Sequence, residues 1–132
     1  VYGNGDNFVN RVLKAAEKRD PFAVPAGEIG APTSAKDLAR IILHLIETNE
    51  YGTYHVTCKG SCNRYELAKE VLKLAGKTLQ LTEASSVALE QPAVRPAYAV
   101  LDNFILRIID VYDMPHWRDS LKEYIEERMV RG

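Results

Sequence analysis

Apolar positions along the chain switch between two spacings, and the switches divide it into elements. Phe8, Val9, Val12, Leu13 and Ala16 recur at the three-and-four interval of one helical face, which predicts a helix over residues 7–19. Asp6 or Asn7 caps its start, and Asp20-Pro21 closes it. Residues 22–24 form a short extended segment, and residues 26–32 hold two glycines and a proline, which predicts a loop. Thr33 or Ser34 then caps a helix to about residue 48, with Leu38, Ile41, Ile42, Leu45 and Ile46 as its buried stripe.

The β-branched and aromatic run at 53–57 predicts a strand. A third helix follows over about 63–75, closed by Gly76 just past its end. Residues 79–82 are a further strand candidate, and 98–101 a short one after an irregular stretch with two prolines. Asp102 caps a helix to about residue 109, and Met114-Pro115 opens a last helix over about 116–130. Short strands separated by helices imply an α/β domain with a small, mostly parallel sheet. An all-helical domain is the alternative, because the strands are short.

The 132 residues carry 17 Lys plus Arg against 18 Asp plus Glu, so no basic field favours nucleic acid. No apolar run approaches the ~20 residues of a membrane span. Cys58 and Cys62 make no disulfide framework, and the expected localisation is cytoplasmic. Nothing at the N-terminus reads as a signal peptide. The chain opens on Val1-Tyr2-Gly3 with no initiator methionine, as though cut from something longer.

Several features invite a chemical reading. Gly3-Asn4-Gly5-Asp6-Asn7 before a helix could attract an anion through backbone N–H groups, although a capping loop explains a lone glycine pair more simply. His55, Cys58 and Cys62 lack the second ligand cluster of a structural zinc site and read as a strand histidine with free thiols. Asp37, Glu66, Asp102 and Glu123 suit helix capping and solvation. Tyr65 and Lys69 stand four apart on one helix face, a spacing common to any amphipathic helix. Arg95-Pro96 is either a surface ion pair or a guanidinium placed for bidentate capture of phosphate or carboxylate.

Taken in order, V-Y-G-N-G-D-N-F-V at 1–9, G-A-P-T-S-A-K-D-L-A-R at 30–40, G-T-Y-H-V-T at 52–57, Y-E-L-A-K-E at 65–70, R-P-A-Y-A-V-L-D-N at 95–103 and M-P-H-W-R-D-S-L at 114–121 resemble the C-terminal part of the dTDP-4-dehydrorhamnose reductases, extended short-chain dehydrogenases that act on a nucleotide sugar. The resemblance implies the substrate-binding part of an NAD(P)-binding Rossmann-like enzyme, with the glycine-rich cofactor loop and the catalytic Tyr-x-x-x-Lys lying upstream of the matched segment. NADPH or NADH would be bound by that upstream half, and no cofactor is expected in this chain, which alone should be inactive. The implied ligand is a nucleotide sugar, with no nucleic-acid or membrane partner.

Residue by residue, the resemblance places Asn7, Phe8 and Val9 at a helix start facing the substrate diphosphate. It places Gly30, Pro32 and Thr33 in a loop lining the nucleotide side, and matches Arg95 to the diphosphate arginine. The family often has an acidic residue and Gln ahead of the G-x-P-T loop, where this chain has Gly27-Glu28. It often has Ser-Trp ahead of the third helix's tyrosine, where this chain has Asn63-Arg64, and Ser where Ala99 stands. A related epimerase or dehydratase, or a non-catalytic binding module such as the regulatory subunit of methionine adenosyltransferase, is the alternative. The first helix and Val1-Tyr2 are expected to face the upstream half, and the apolar surface left exposed to drive homo-oligomer formation.

Overall fold

The structure, a computed structural model, describes residues 1–25, 27–84, 96–111 and 113–131. Arg95 lies outside the described residues. Five helices and four short strands follow in the order α1 (Phe8–Lys18), β1 (Phe22–Pro25), β2 (Ile29–Gly30), α2 (Ala35–Ile46), β3 (Cys62–Asn63), α3 (Arg64–Leu74), β4 (Leu81–Ala84), α4 (Phe104–Ile108) and α5 (Trp117–Arg131). The α/β, helix-rich reading therefore holds. The expected single parallel sheet is instead two pairs among the described residues: β1 and β4 run parallel, whereas β2 and β3 run antiparallel.

The predicted strand at 53–57 joins no ladder among the described residues. The side chain of Asn103 takes the place of a neighbouring strand there. Its Oδ1 accepts from the Thr57 amide at 2.9 Å, and its Nδ2 donates to the Thr57 carbonyl at 2.6 Å. One side chain thus supplies both hydrogen bonds that a strand partner would. Asn103, not Asp102, precedes α4, and Asp102 instead pairs with Arg107. The 98–101 candidate shrinks to one bridge, Tyr98 with Ile29.

The helix starts follow capping chemistry. Asn7 caps α1, Ser34 caps α2, and Asn63 with Glu66 closes a reciprocal capping box on α3. Gly76, at φ 61°, ends α3 in the left-handed conformation that glycine adopts freely. Gly60, at φ 78°, is required twice over, because a Cβ there would stand 2.4 Å from His116 Nε2.

The core lies where α1, α3 and α5 converge over β1. Val9, Val12, Val71, Trp117, Leu121 and Ile125 are essentially inaccessible to solvent. Each such side chain contributes roughly 1.5–3 kcal/mol of burial free energy. Tyr2 belongs to this core too. The expectation that α1 and Val1-Tyr2 present an apolar face outward is therefore corrected for Tyr2 and the α1 stripe, whereas Val1 is exposed. Phe8 is only half-buried, but the stripe behind it packs within the chain. The exposed apolar surface lies instead on α2 (Ile42, Leu43, Ile46) and α4 (Phe104, Ile105, Ile108). Of the predicted α2 stripe, only Ile41 is fully buried.

Candidate functional site

Three segments distant in sequence meet at Ile29. It pairs with Asn63 across β2 and β3. On its other side it accepts from the Ala99 amide and donates to the Ala97 carbonyl, each at 2.8 Å. These backbone bonds bring the loop before α2, the start of α3 and the segment just after Arg95 to one place. The N-terminal segment joins them. The Tyr2 amide donates to the Thr33 carbonyl at 2.9 Å, and the Ala35 amide donates to the Tyr2 carbonyl at 2.8 Å.

The junction opens into a cleft of about 360 Å³, within the range of small-molecule sites. Its walls include Phe8 and Val9 from α1, Gly30 and Pro32 from the loop, and Pro96. Four of the sequence-predicted site residues, Phe8, Val9, Gly30 and Pro32, thus line one cavity, and Arg95 is the sequence neighbour of a fifth lining residue.

Asn7 and Thr33 are occupied otherwise. Asn7 Oδ1 accepts from the Asn10 amide, and its Nδ2 donates to the carbonyls of Gly3 (2.7 Å) and Gly5 (3.3 Å). Asn10 reaches the same two carbonyls. The glycine loop therefore turns its carbonyls onto two asparagine side chains, as a capping loop does. Thr33 is buried: its hydroxyl donates to the Ala31 carbonyl and accepts from the Cys58 amide at 3.1 Å. It pins the loop from behind.

The cleft also holds charged residues that the spacing of apolar positions does not reveal. Arg11 stands one turn beyond Phe8 and faces the opening. Arg64, the first residue of α3, lies over the Phe8 ring at 5.7 Å and 3.6 Å from the Glu28 carboxylate. Two guanidiniums against one carboxylate leave the cleft net positive, and the amides of Phe8 and Val9, which have no intrahelical acceptor, lie beside it. Such an arrangement accepts an anionic ligand with an apolar portion. Arg11 escaped the sequence reading, although its place three beyond Phe8 on the same helix face is a signal that could find it. Arg64 and Asn63 arrive through a two-residue antiparallel pairing, which leaves no periodic signal.

The remaining candidates resolve into structure. Asp37 is buried and accepts from Ser120 Oγ at 2.5 Å, and the Ser120 hydroxyl accepts from the Tyr2 phenol at 3.0 Å. Glu123 pairs with Lys36 on the surface. Lys69 lies over the Tyr65 ring at 4.7 Å, a cation–π contact on the α3 surface. Cys58 and Cys62 are free and buried. Burial pushes both thiols up, Cys62 to about 12 with help from the nearby Glu66 carboxylate. Among the described residues no group of three His, Cys, Asp or Glu could hold a metal ion, and no helix is long and apolar enough to cross a membrane.

This short-stranded, helix-rich fold recurs as part of larger solved enzymes. A dTDP-glucose 4,6-dehydratase from Bacillus anthracis shares it at TM-score 0.73 with 12% identity, a likeness of fold alone. More specifically, the chain belongs to the RmlD substrate binding domain family, whose model matches residues 1–130. A dTDP-4-dehydrorhamnose reductase structure from Clostridium acetobutylicum superposes at TM-score 0.92 with 38% identity, covering 97% of this chain and 46% of that one. A second, from Bacillus anthracis in complex with NADP, gives TM-score 0.91 and 34% identity over 95% of this chain and 44% of that one. Among curated proteins, the spore coat polysaccharide biosynthesis protein SpsK of Bacillus subtilis is 35% identical over 129 residues, 97% of this chain and 45% of its own length. The dTDP-4-dehydrorhamnose reductase of Streptomyces griseus is 33% identical over 130 residues, 93% of this chain and 43% of its own. The chain thus spans less than half the length of these relatives.

Proposed function

We propose that this chain is the sugar-nucleotide-binding portion of a dTDP-4-dehydrorhamnose reductase. In this reading the whole protein reduces the 4-keto group of dTDP-4-dehydro-L-rhamnose to give dTDP-L-rhamnose, a precursor of cell-surface polysaccharide. A nicotinamide cofactor, NADPH or NADH, supplies the hydride and is held by residues outside this chain. Alone, the chain binds the nucleotide sugar, lacks tight affinity for NADPH and performs no reduction.

The observation that carries the reading is the convergence of Phe8, Val9, Gly30 and Pro32 on one cleft with Arg11 and Arg64, closed by Pro96. The residues divide the work. Arg11, the first amides of α1 and Arg95 meet the diphosphate, while Phe8, Pro32 and Pro96 exclude water around the less polar parts of the ligand. The hydrogen bonds of Ala97 and Ala99 to Ile29 anchor the segment that follows Arg95.

The test is a pair of titrations, nucleotide sugar and NADPH, on the full-length protein and its Arg95→Ala and Arg95→Lys variants. Arg95→Ala should weaken nucleotide-sugar binding by about 2–4 kcal/mol, because it removes a charged partner from a partly buried anion. Arg95→Lys should recover only part of that loss, since an ammonium cannot grip two oxygens. NADPH affinity should stay constant. Equal nucleotide-sugar affinity across all three proteins would remove Arg95 from the site.

A further inference from the structure

Glu28 and Arg64 stand side by side in the cleft wall. Arg64 Nε lies 3.6 Å from Glu28 Oε2, and the Phe8 ring supports the guanidinium from below. The side chains are only 30% and 13% exposed. The other carboxylate oxygen, Glu28 Oε1, is buried and has no hydrogen-bond partner among the described residues. A buried acceptor without a donor is uncommon in a folded protein and calls for an explanation. Both residues line the cleft, so the pair meets whatever molecule the cleft takes.

We propose that Glu28 and Arg64 form a specificity-determining pair that reads a hydroxyl on the sugar moiety of the ligand. This rests on the sugar-nucleotide reading of the cleft. A carboxylate oxygen is an acceptor only, and a guanidinium is a donor only. A hydroxyl carries one proton and two lone pairs on a single atom, so it donates to the Glu28 carboxylate while accepting from Arg64. A nucleobase edge also offers a donor beside an acceptor, and the comparison of dTDP with dTDP-glucose separates the two sources. The pair is also neutral overall. It therefore adds selectivity for a hydroxyl without competing with Arg11 for the diphosphate.

The experiment compares dTDP with dTDP-glucose by calorimetric titration of wild-type chain, Glu28→Gln and Glu28→Leu. The sugar should improve wild-type affinity by roughly tenfold over dTDP alone, the scale of one charge-assisted hydrogen bond. Glu28→Leu should collapse that ratio to near one while leaving dTDP affinity in place. Glu28→Gln, which keeps one acceptor and the side-chain shape, should retain part of it, and it decides the matter if Glu28→Leu fails to fold. An unchanged ratio in the variants would overturn the proposal. So would a loss falling equally on dTDP and dTDP-glucose, which would assign Glu28 to the nucleoside or to the fold. Failure of the wild-type chain to bind either ligand would overturn the sugar-nucleotide reading itself, and this proposal with it.

Discussion

Helices α1 and α2 carry apolar stripes of similar strength but use them differently. On α1, Val9, Val12, Leu13 and Ala16 all disappear into the core against α3. On α2, Ile41 alone is fully buried, while Leu43 and Ile46 stand 61% and 70% exposed. What fixes α2 is largely polar. Ser34 caps it, Asp37 takes part in the chain of hydrogen bonds through Ser120 to Tyr2, and Arg40 donates to the Asp113 carbonyl at 2.8 Å. An amphipathic pattern therefore says that a helix forms but not that one partner covers its whole apolar face. The covered helix holds the cleft rigid, and the half-covered one has apolar surface to spare for a second body.

The largest effect that sharpens this contrast is expected in the core. Leu121→Ala, at a fully buried position, should cost about 2–5 kcal/mol in urea unfolding, whereas Ile46→Ala should fall within about 0.5 kcal/mol of wild type. Similar losses at both sites would mean that α2 is packed in solution as tightly as α1. Next comes the polar anchor. Ser120→Ala strands the buried Tyr2 phenol and Asp37 carboxylate without their shared partner, and should cost about 1–3 kcal/mol. A neutral result would show that apolar contacts alone seat α2.

Alkaline pH acts on the core side of the comparison. Cys58 and Cys62 are held protonated by burial, Cys62 up to about 12 from an ordinary 9.0, and burial raises the Tyr2 phenol as well. Above the ordinary thiol value the unfolded chain sheds protons that the folded chain keeps, so stability is full below that value and declines as pH rises toward the folded one. The urea midpoint should fall steadily from about pH 9 upward, and Cys62→Ala should flatten part of the decline. A midpoint independent of pH in that window would place both thiols in water.

The smallest effect on folding is expected at the outer face of α2, where the consequence is association. Exposed apolar surface of this kind should bring a second copy of the chain onto it. Leu43→Lys with Ile46→Lys should lower the light-scattering mass to that of a monomer while leaving the urea midpoint nearly unchanged. A wild-type chain that is already monomeric at high concentration would end this expectation.

Helix positions were legible from periodicity and capping residues, because Asn7, Ser34 and the Asn63–Glu66 box satisfy the same unpaired amides that define a helix start. Strand pairing was not. A β2–β3 ladder of two residues has no period to detect, and the run at 53–57 has strand composition but meets the Asn103 side chain where a neighbouring strand would be. Which apolar face stays exposed depends on which helices pack together, a non-local fact. In the cleft, Phe8, Val9, Gly30 and Pro32 were found through their motifs. The Glu28–Arg64 pair required knowing that residues 28 and 64 are neighbours in space.

The central claim is that the cleft at the start of α1, and no other surface, takes the nucleotide sugar. Amide chemical-shift changes during titration with dTDP-glucose test this most directly. The account predicts shifts concentrated at Phe8, Val9, Arg11, the 28–31 loop and Arg64, with Leu43 and Ile46 unmoved. Shifts centred on the α2 face, or none at the cleft under saturating ligand, would contradict it.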